Sequence, residues 1–300
     1  MEASQWWRLF RLMQQNHVAA LCFDAVSKAG APRDVLMPWL SEREKAIEWH
    51  RYQRQVQREI VDAMQKRGIE TLVLKGTHTA RYYPQPELRE FGDLDLYFYD
   101  KHEEADRVAR EVLRVSVSND SHHHSKYNYR GVTVESHYDF LNTHYPPSNR
   151  RYEKMLKEQV GTATFDVLFL LRHMAVHFAA SRITLRDLVD WTLICHALQN
   201  QIDWDLVRRT ASDYGMEPFL TALNAIAEGQ DVDNRIVKNM VYGDIQDHNA
   251  ENVGRLLWKL HRWRTNDWKR RMLFCDSEPS LLLASLTSHA EKPHSILHKM

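Results

Sequence analysis

The chain is short of the residues that interrupt regular structure, with 10 glycines and 9 prolines in 300 residues. That scarcity excludes a collagen-like or Gly/Pro-rich disordered chain and predicts long helices with few breaks. No G-x-G-x-x-G, G-x-x-x-x-G-K-[ST] or G-x-S-x-G occurs anywhere, so Rossmann, P-loop and serine-hydrolase chemistry are excluded by motif. Cysteine is scarcer still. Cys22, Cys195 and Cys275 are dispersed and form no C-x-x-C pair, which argues against a disulfide framework or zinc knuckle and suits a reducing, cytoplasmic setting. No run approaches the roughly 18–20 apolar residues of a transmembrane segment. The opening MEASQWWRLFRLMQQNH carries charge too early for a secretory signal. An excess of one charge sign is missing as well. With 40 Lys+Arg against 40 Asp+Glu, no global field recruits a polyanion.

What the chain does hold is a globular composition, 43% hydrophobic and 27% charged, with 17 histidines and 9 tryptophans. Residues 1–67 form an N-terminal helical region, with helices predicted from Ser4 to about Gln15, Asn16 to Gly30 and Ser41 to Lys66. Ser41 and Glu44 have capping-box spacing, and Ile47, Val56, Ile60 and Met64 give the third helix one apolar stripe. The texture changes over 68–145, a small α/β core. Thr71–Leu74 reads as a short buried strand and Thr77–Tyr83 as a helix stopped by Pro84 and Pro86. Phe91–Tyr99 alternates as a strand after Gly92, and Lys101–Leu113 reads as a helix. His123–Arg130 and Val132–Phe140 are two strands of a hairpin that turns at Gly131. Across 146–300 the strand signals stop. Helices are expected at Phe165–Ala180, Leu185–Leu198, Trp204–Tyr214, Pro218–Glu228 and Val253–Trp263. The fold class is α+β and mostly helical, a small α/β core flanked by N-terminal helices and a C-terminal helical domain with a basic, Trp-rich tail.

The chemistry concentrates in Gly92-Asp93-Leu94-Asp95-Leu96. Residues two apart on a strand face the same way, so both carboxylates project together, about 6–7 Å apart at the backbone. Leu94, Leu96 and Phe98 point the other way, into a core. Two acids held close repel one another, and a hard divalent cation resolves that cost, because Mg²⁺ takes one or two carboxylates together with substrate phosphates. In Val132-Thr133-Val134-Glu135-Ser136-His137, Glu135 and His137 share the face opposite Val132 and Val134. If that strand lies beside the Asp93 strand, Glu135 completes a carboxylate triad able to hold two metal ions for phosphoryl or nucleotidyl transfer.

Leu72-Val73-Leu74-Lys75-Gly76-Thr77, then Tyr83-Pro84, Arg89, Gly92-Asp93-Leu94-Asp95-Leu96 and Val134-Glu135-Ser136-His137 form an ordered set. It resembles the bacterial nucleotidyltransferase-like family of the polymerase-β superfamily, over about residues 68–200. His173, His177, Arg186 and Asp190 resemble the later helical part of that pattern. The resemblance implies a minimal nucleotidyltransferase core, with Asp93, Asp95 and Glu135 as metal ligands and catalytic carboxylates, Mg²⁺ (or Mn²⁺) as cofactor and an NTP as substrate. The family's Gly-Ser stands here as Gly76-Thr77, as in toxin and abortive-infection nucleotidyltransferases, and the gap from Gly76 to Asp93 is longer than the standard spacing. Gly76-Thr77 at a strand end would offer backbone N–H groups to phosphate, with Lys75 or Arg89 neutralising the pyrophosphate. Gly92 and His137 join the nucleotide-binding set. One of the three acids, or His137, would accept the acceptor's proton.

Other clusters are weighed against this one. His122, His123 and His124 alternate faces on a strand and are expected to be solvated. His173 and His177 lie i, i+4 on one helix face, but H-M-A-V-H lacks the glutamate of a zinc protease. Arg255–Arg271 contains seven Lys/Arg, one acid and the tryptophans Trp258, Trp263 and Trp268. That stretch suits a packed helix or a surface for RNA or another anionic acceptor. The expected activity is transfer of a nucleoside monophosphate from an NTP to a hydroxyl of a small molecule, RNA end or protein. The alternative is a degenerate nucleotidyltransferase fold serving as a binding scaffold.

Overall fold

The computed structural model describes residues 1–119, 123–141, 147–180 and 183–230. The expected helix Val253–Trp263, the basic stretch 255–271 and His122 lie outside the described residues. Two compact units divide the chain, Met1–Asn142 and Thr143–Met300.

The first unit opens with α1 (Ala3–Gln15), α2 (Ala19–Lys28) and the long α3 (Arg33–Gln65). The start of α3 corrects the capping box expected at Ser41, which lies inside the helix. Pro38 lies inside the helix, where it removes the N–H that would donate to the Asp34 carbonyl. Val35 and Trp39, on one face a turn apart, are fully buried, and the Trp39 indole N–H donates to the Ala19 carbonyl. Burial of that face outweighs the proline's cost and carries the helix back to Arg33. Trp6, Phe10, Ala19, Val26, Val35 and Trp39 form a first core between the three helices.

The C-terminal half of α3 covers a four-stranded sheet. Its strands are β1 (Leu72–Val73), β2 (Leu94–Tyr97), β3 (His124–Tyr129) and β4 (Val132–His137), in the order β1-β2-β4-β3. β1 is antiparallel to β2, β2 parallel to β4, and β3 antiparallel to β4. Between the first two strands run α4 (Thr77–Ala80) and a 3₁₀ turn at Pro86–Leu88, and α5 (His102–Glu111) follows β2. The β3–β4 hairpin turns on Arg130 (φ 51°) and Gly131 (φ 80°), the paired positive φ values of a tight two-residue turn. One sheet face packs Leu94, Leu96, Phe98, Tyr127, Val132 and Val134 against Val56, Ile60 and Met64 of α3 and Val108 of α5. The opposite face is polar.

The second unit holds α6 (Pro147–Gln159), α7 (Ala163–Ala180), α8 (Leu185–Leu198), α9 (Trp204–Asp213) and α10 (Glu217–Ala227). Of these, α6 is not anticipated from the sequence. Its apolar stripe is little more than Tyr152 and Leu156 in an otherwise charged segment, although both are fully buried. Arg172 of α7 is fully buried, donating to Asn149 Oδ1 at 2.7 Å and lying over the Tyr152 ring. Thr184 and Asp187 form a reciprocal capping box at the start of α8. No described helix is long and apolar enough to cross a membrane.

Candidate active site

The polar face is assembled by strand register. Asp95 stands opposite Glu135 and Tyr97 opposite His137 in the parallel β2–β4 pair. Lys126 stands opposite Glu135 and His124 opposite His137 in the hairpin. Because side chains two apart share a face, Asp93, Asp95, Glu135, His137, His124 and Lys126 converge on the side away from the core. Lys75 joins them from the end of β1, where the Leu74 N–H donates to the Asp95 carbonyl at 3.0 Å.

Asp95 is the buried centre, 7% exposed. Lys75 Nζ lies 3.1 Å and His137 Nε2 3.2 Å from its Oδ1. Burial pushes the Asp95 carboxyl up, but Lys75 and His137 together outweigh burial and hold it well below the usual carboxylate range. Lys126 Nζ lies 2.9 Å from Glu135 Oε1, with His124 Nε2 3.7 Å from the same oxygen. Burial raises the Glu135 carboxyl too, and the positive field of His124 and Lys126 brings it below its ordinary value. Asp93 differs. Half exposed and 3.9 Å from Lys126, its carboxyl is pushed up by partial burial and by the charges of Glu135 and Asp95. Like charges held together are the condition that a divalent cation relieves.

The connection from Gly76 to Gly92 forms a braced wall beside the acids. Gly76 has φ 65° and ψ −114°, a conformation that L side chains rarely adopt, and a Cβ there would meet the Phe91 ring at 3.2 Å. Arg89, 5% exposed, donates from Nη1 to the Gly76 carbonyl at 3.3 Å. The long helix α3 supplies further braces. Gln53, fully buried, donates to the Gly92 carbonyl at 2.7 Å, Gln57 Oε1 accepts from the Thr77 hydroxyl, and the His50 ring meets Phe91 edge-on. The N-terminal helices thus hold the loop that leads into the Asp93–Asp95 strand.

A divalent cation fits this donor set. Ligand atoms of Asp95, Glu135 and His137 all lie within 4.8 Å of one another, and Asp93 stands at the solvent end of the same face. Carboxylate oxygens are the donors Mg²⁺ and Mn²⁺ take, and an imidazole beside them is better matched to Mn²⁺.

The structure therefore brings Lys75, Asp93, Asp95, Glu135 and His137 onto one face, with Gly76, Thr77, Arg89 and Gly92 in the adjoining braced loop. The His173 and His177 rings meet at 4.3 Å between centroids with their planes tilted by 59°, and Arg186 lies 3.4 Å from Asp187, all in the second unit. His123 and His124, expected to be solvated, are half-buried against the site. Burial, with His124 and His137 nearby, pushes the His123 imidazole down to about 3. The sequence does not single out Lys126, Gln53 or Gln57, and strand alternation sets His124 aside as solvated. For Lys126 and His124 a signal exists. A two-residue turn at Arg130-Gly131 fixes the hairpin register and places Lys126 on Glu135 and His124 on His137.

A family model described as an uncharacterised nucleotidyltransferase matches residues 2–228. No curated protein and no solved structure matches the chain.

Proposed function

The chain belongs to the uncharacterised nucleotidyltransferase family, and from that premise we propose that it is a divalent-metal-dependent enzyme transferring a nucleoside monophosphate from an NTP to an acceptor hydroxyl, with release of pyrophosphate. One observation carries this reading. Asp95 and Glu135 stand abreast on parallel strands, with Asp93 on the same face and ligand atoms of Asp95, Glu135 and His137 within 4.8 Å.

In this reading Asp93, Asp95 and Glu135 hold Mg²⁺ or Mn²⁺. When bound, the ion neutralises triphosphate charge and favours in-line displacement at the α-phosphorus. Lys75, beside Asp95, turns to the departing pyrophosphate. The Thr77 hydroxyl is engaged by Gln57, so the Gly76–Thr77 turn serves phosphate through its main chain and not through that hydroxyl. Arg89 acts as a positioning residue by holding the Gly76 carbonyl. Asp93, at the exposed end of the cluster, marks the side from which the acceptor arrives. That acceptor is a small molecule, an RNA end or a protein hydroxyl, with the basic 255–271 stretch as its candidate surface.

A second reading, a non-catalytic binding protein on the same fold, draws on a specific observation. Lys75 and Lys126 already neutralise Asp95 and Glu135, so these acids are tolerated without an ion. Calorimetric titration with Mg²⁺ and the four NTPs, on the wild type and on Asp93→Ala/Asp95→Ala, tests the enzyme reading. Mg²⁺-dependent NTP binding that the double change abolishes supports it. NTP binding that ignores Mg²⁺ and both acids sinks it.

A further inference from the structure

Beside the carboxylates, His123 and His124 crowd against His137, two imidazoles the nucleotidyltransferase reading does not use. Ligand nitrogens of His123, His124 and His137 all lie within 4.8 Å of one another. His124 Nδ1 is already 3.0 Å from His123 Nε2. Ligands of a tetrahedral zinc ion stand about 3.3 Å apart when the Zn–N bonds are about 2.0 Å long, so that pair has only to open slightly while the third nitrogen moves in.

The orientation of the rings is the second observation. His137 turns Nε2 to Asp95 Oδ1 at 3.2 Å, and His124 turns Nε2 to Glu135 Oε1 at 3.7 Å. His124 Nδ1 faces His123 Nε2, and in His137 Nδ1 is the nitrogen turned away from the carboxylates. For His137 that nitrogen is buried and makes no hydrogen bond, in a residue only 7% exposed. A buried ring nitrogen without a partner carries a free-energy cost that a ligand would remove. A carboxylate on one imidazole nitrogen with a metal on the other is the arrangement that fixes tautomer and ring plane in zinc sites.

We propose that His123 Nε2, His124 Nδ1 and His137 Nδ1 form a site for a borderline divalent cation of the Zn²⁺ class, separate from the carboxylate site and joined to it through the His137–Asp95 contact. Imidazole nitrogen selects Zn²⁺, Co²⁺ or Ni²⁺ over Mg²⁺, so the two neighbouring sites sort different ions. An ion there ties the start of β3 to the end of β4 and fixes the orientation of Asp95 through His137. The inference stands on the three rings alone and does not require that the chain transfer nucleotides.

Calorimetry of the full chain, free of any affinity tag, with Zn²⁺ in the presence of millimolar Mg²⁺ tests it, with Co²⁺ absorption as the readout of nitrogen coordination. The expected result is one tight equivalent of Zn²⁺ that Mg²⁺ does not displace, with visible tetrahedral Co²⁺ bands. His123→Ala and the milder His123→Gln should each weaken Zn²⁺ at least tenfold while leaving Mg²⁺-dependent NTP binding in place. Circular dichroism confirms that at least one of the two variants is folded. Zn²⁺ binding that is absent, displaced by Mg²⁺, or unchanged in a folded His123 variant would overturn the site.

Discussion

Lys75 Nζ and Asp95 Oδ1 meet at 3.1 Å, pairing a partly covered lysine with a carboxylate that is 7% exposed. The pair joins the end of β1 to the middle of β2 and helps hold the Asp95 carboxyl below its ordinary value. Removing the lysine leaves a buried charge with His137 as its remaining close cationic partner among the described residues. Lys75→Met is therefore expected to lower unfolding free energy by about 3 kcal/mol, the low end for breaking a buried pair. Millimolar Mg²⁺ should return part of that loss by taking the lysine's place. Urea unfolding with and without Mg²⁺ checks both statements, and an unchanged midpoint would show that Lys75 does not stabilise Asp95.

Gly76 carries two constraints at once, a left-handed φ of 65° and the Phe91 ring where a Cβ would stand. Gly76→Ala should cost about 1–3 kcal/mol from backbone strain alone, with a further loss from the ring contact. Adding Phe91→Leu should recover only the steric part. Thermal melts of the single and double variants separate the two contributions. Full recovery in the double variant would mean that the backbone is unstrained.

Gln53 ties α3 to the loop before the acids through the Gly92 carbonyl at 2.7 Å. Gln53→Leu removes that donor from a main-chain carbonyl that water can reach, at an expected cost of about 0.5–1.5 kcal/mol. Since Gly92 precedes Asp93, the same change should weaken Mg²⁺–NTP binding severalfold. Equal NTP affinity in a stably folded Gln53→Leu protein would confine α3 to a scaffolding role.

In the second unit, Asp187 accepts from the Thr184 N–H and hydroxyl at 2.8 and 2.9 Å. Burial raises its carboxyl, but Arg186 and the Thr184 donors outweigh burial and hold it below the ordinary value. A folded-state pKa below the unfolded one stabilises the protein above the unfolded value of about 3.9 and loses that contribution as pH falls through the folded value. Asp187→Asn should therefore cost about 1 kcal/mol at pH 7. The gap to wild type should close as the pH falls below 4. Unfolding midpoints measured from pH 7 downward check the sign, and a gap that widens in acid would contradict it.

The acids of the site were legible because strand alternation is local. Asp93 and Asp95 two apart, backed by Leu94 and Leu96, announce a shared face before any partner strand is known. Their meeting with Glu135 was conditional on two strands lying side by side, which no local pattern decides; the parallel β2–β4 pairing supplies it. Gln53 was illegible for a different reason. On a helix as charged as α3, a glutamine looks solvated, and only the loop folded over it makes it fully buried. Pro38 hid the first turns of α3, since the burial of Val35 and Trp39 that overrides it comes from packing on α1 and α2. His124 and Lys126 were recoverable from the hairpin turn, but alternation alone suggested an exposed edge.

Asp93, Asp95 and Glu135 are proposed to support transfer of the nucleotidyl group, through the α-phosphorus of an NTP, to an acceptor. Incubating the protein with Mg²⁺, acceptor-containing cell extract and NTP labelled at either the α- or the γ-phosphate measures this directly. Only the α-label should pass to a small-molecule, RNA or protein fraction, with pyrophosphate released. Asp95→Asn and Glu135→Gln should each reduce that transfer by at least a hundredfold. Transfer of the γ-label, or α-label transfer that survives both substitutions, would rule out nucleotidyl transfer at these carboxylates.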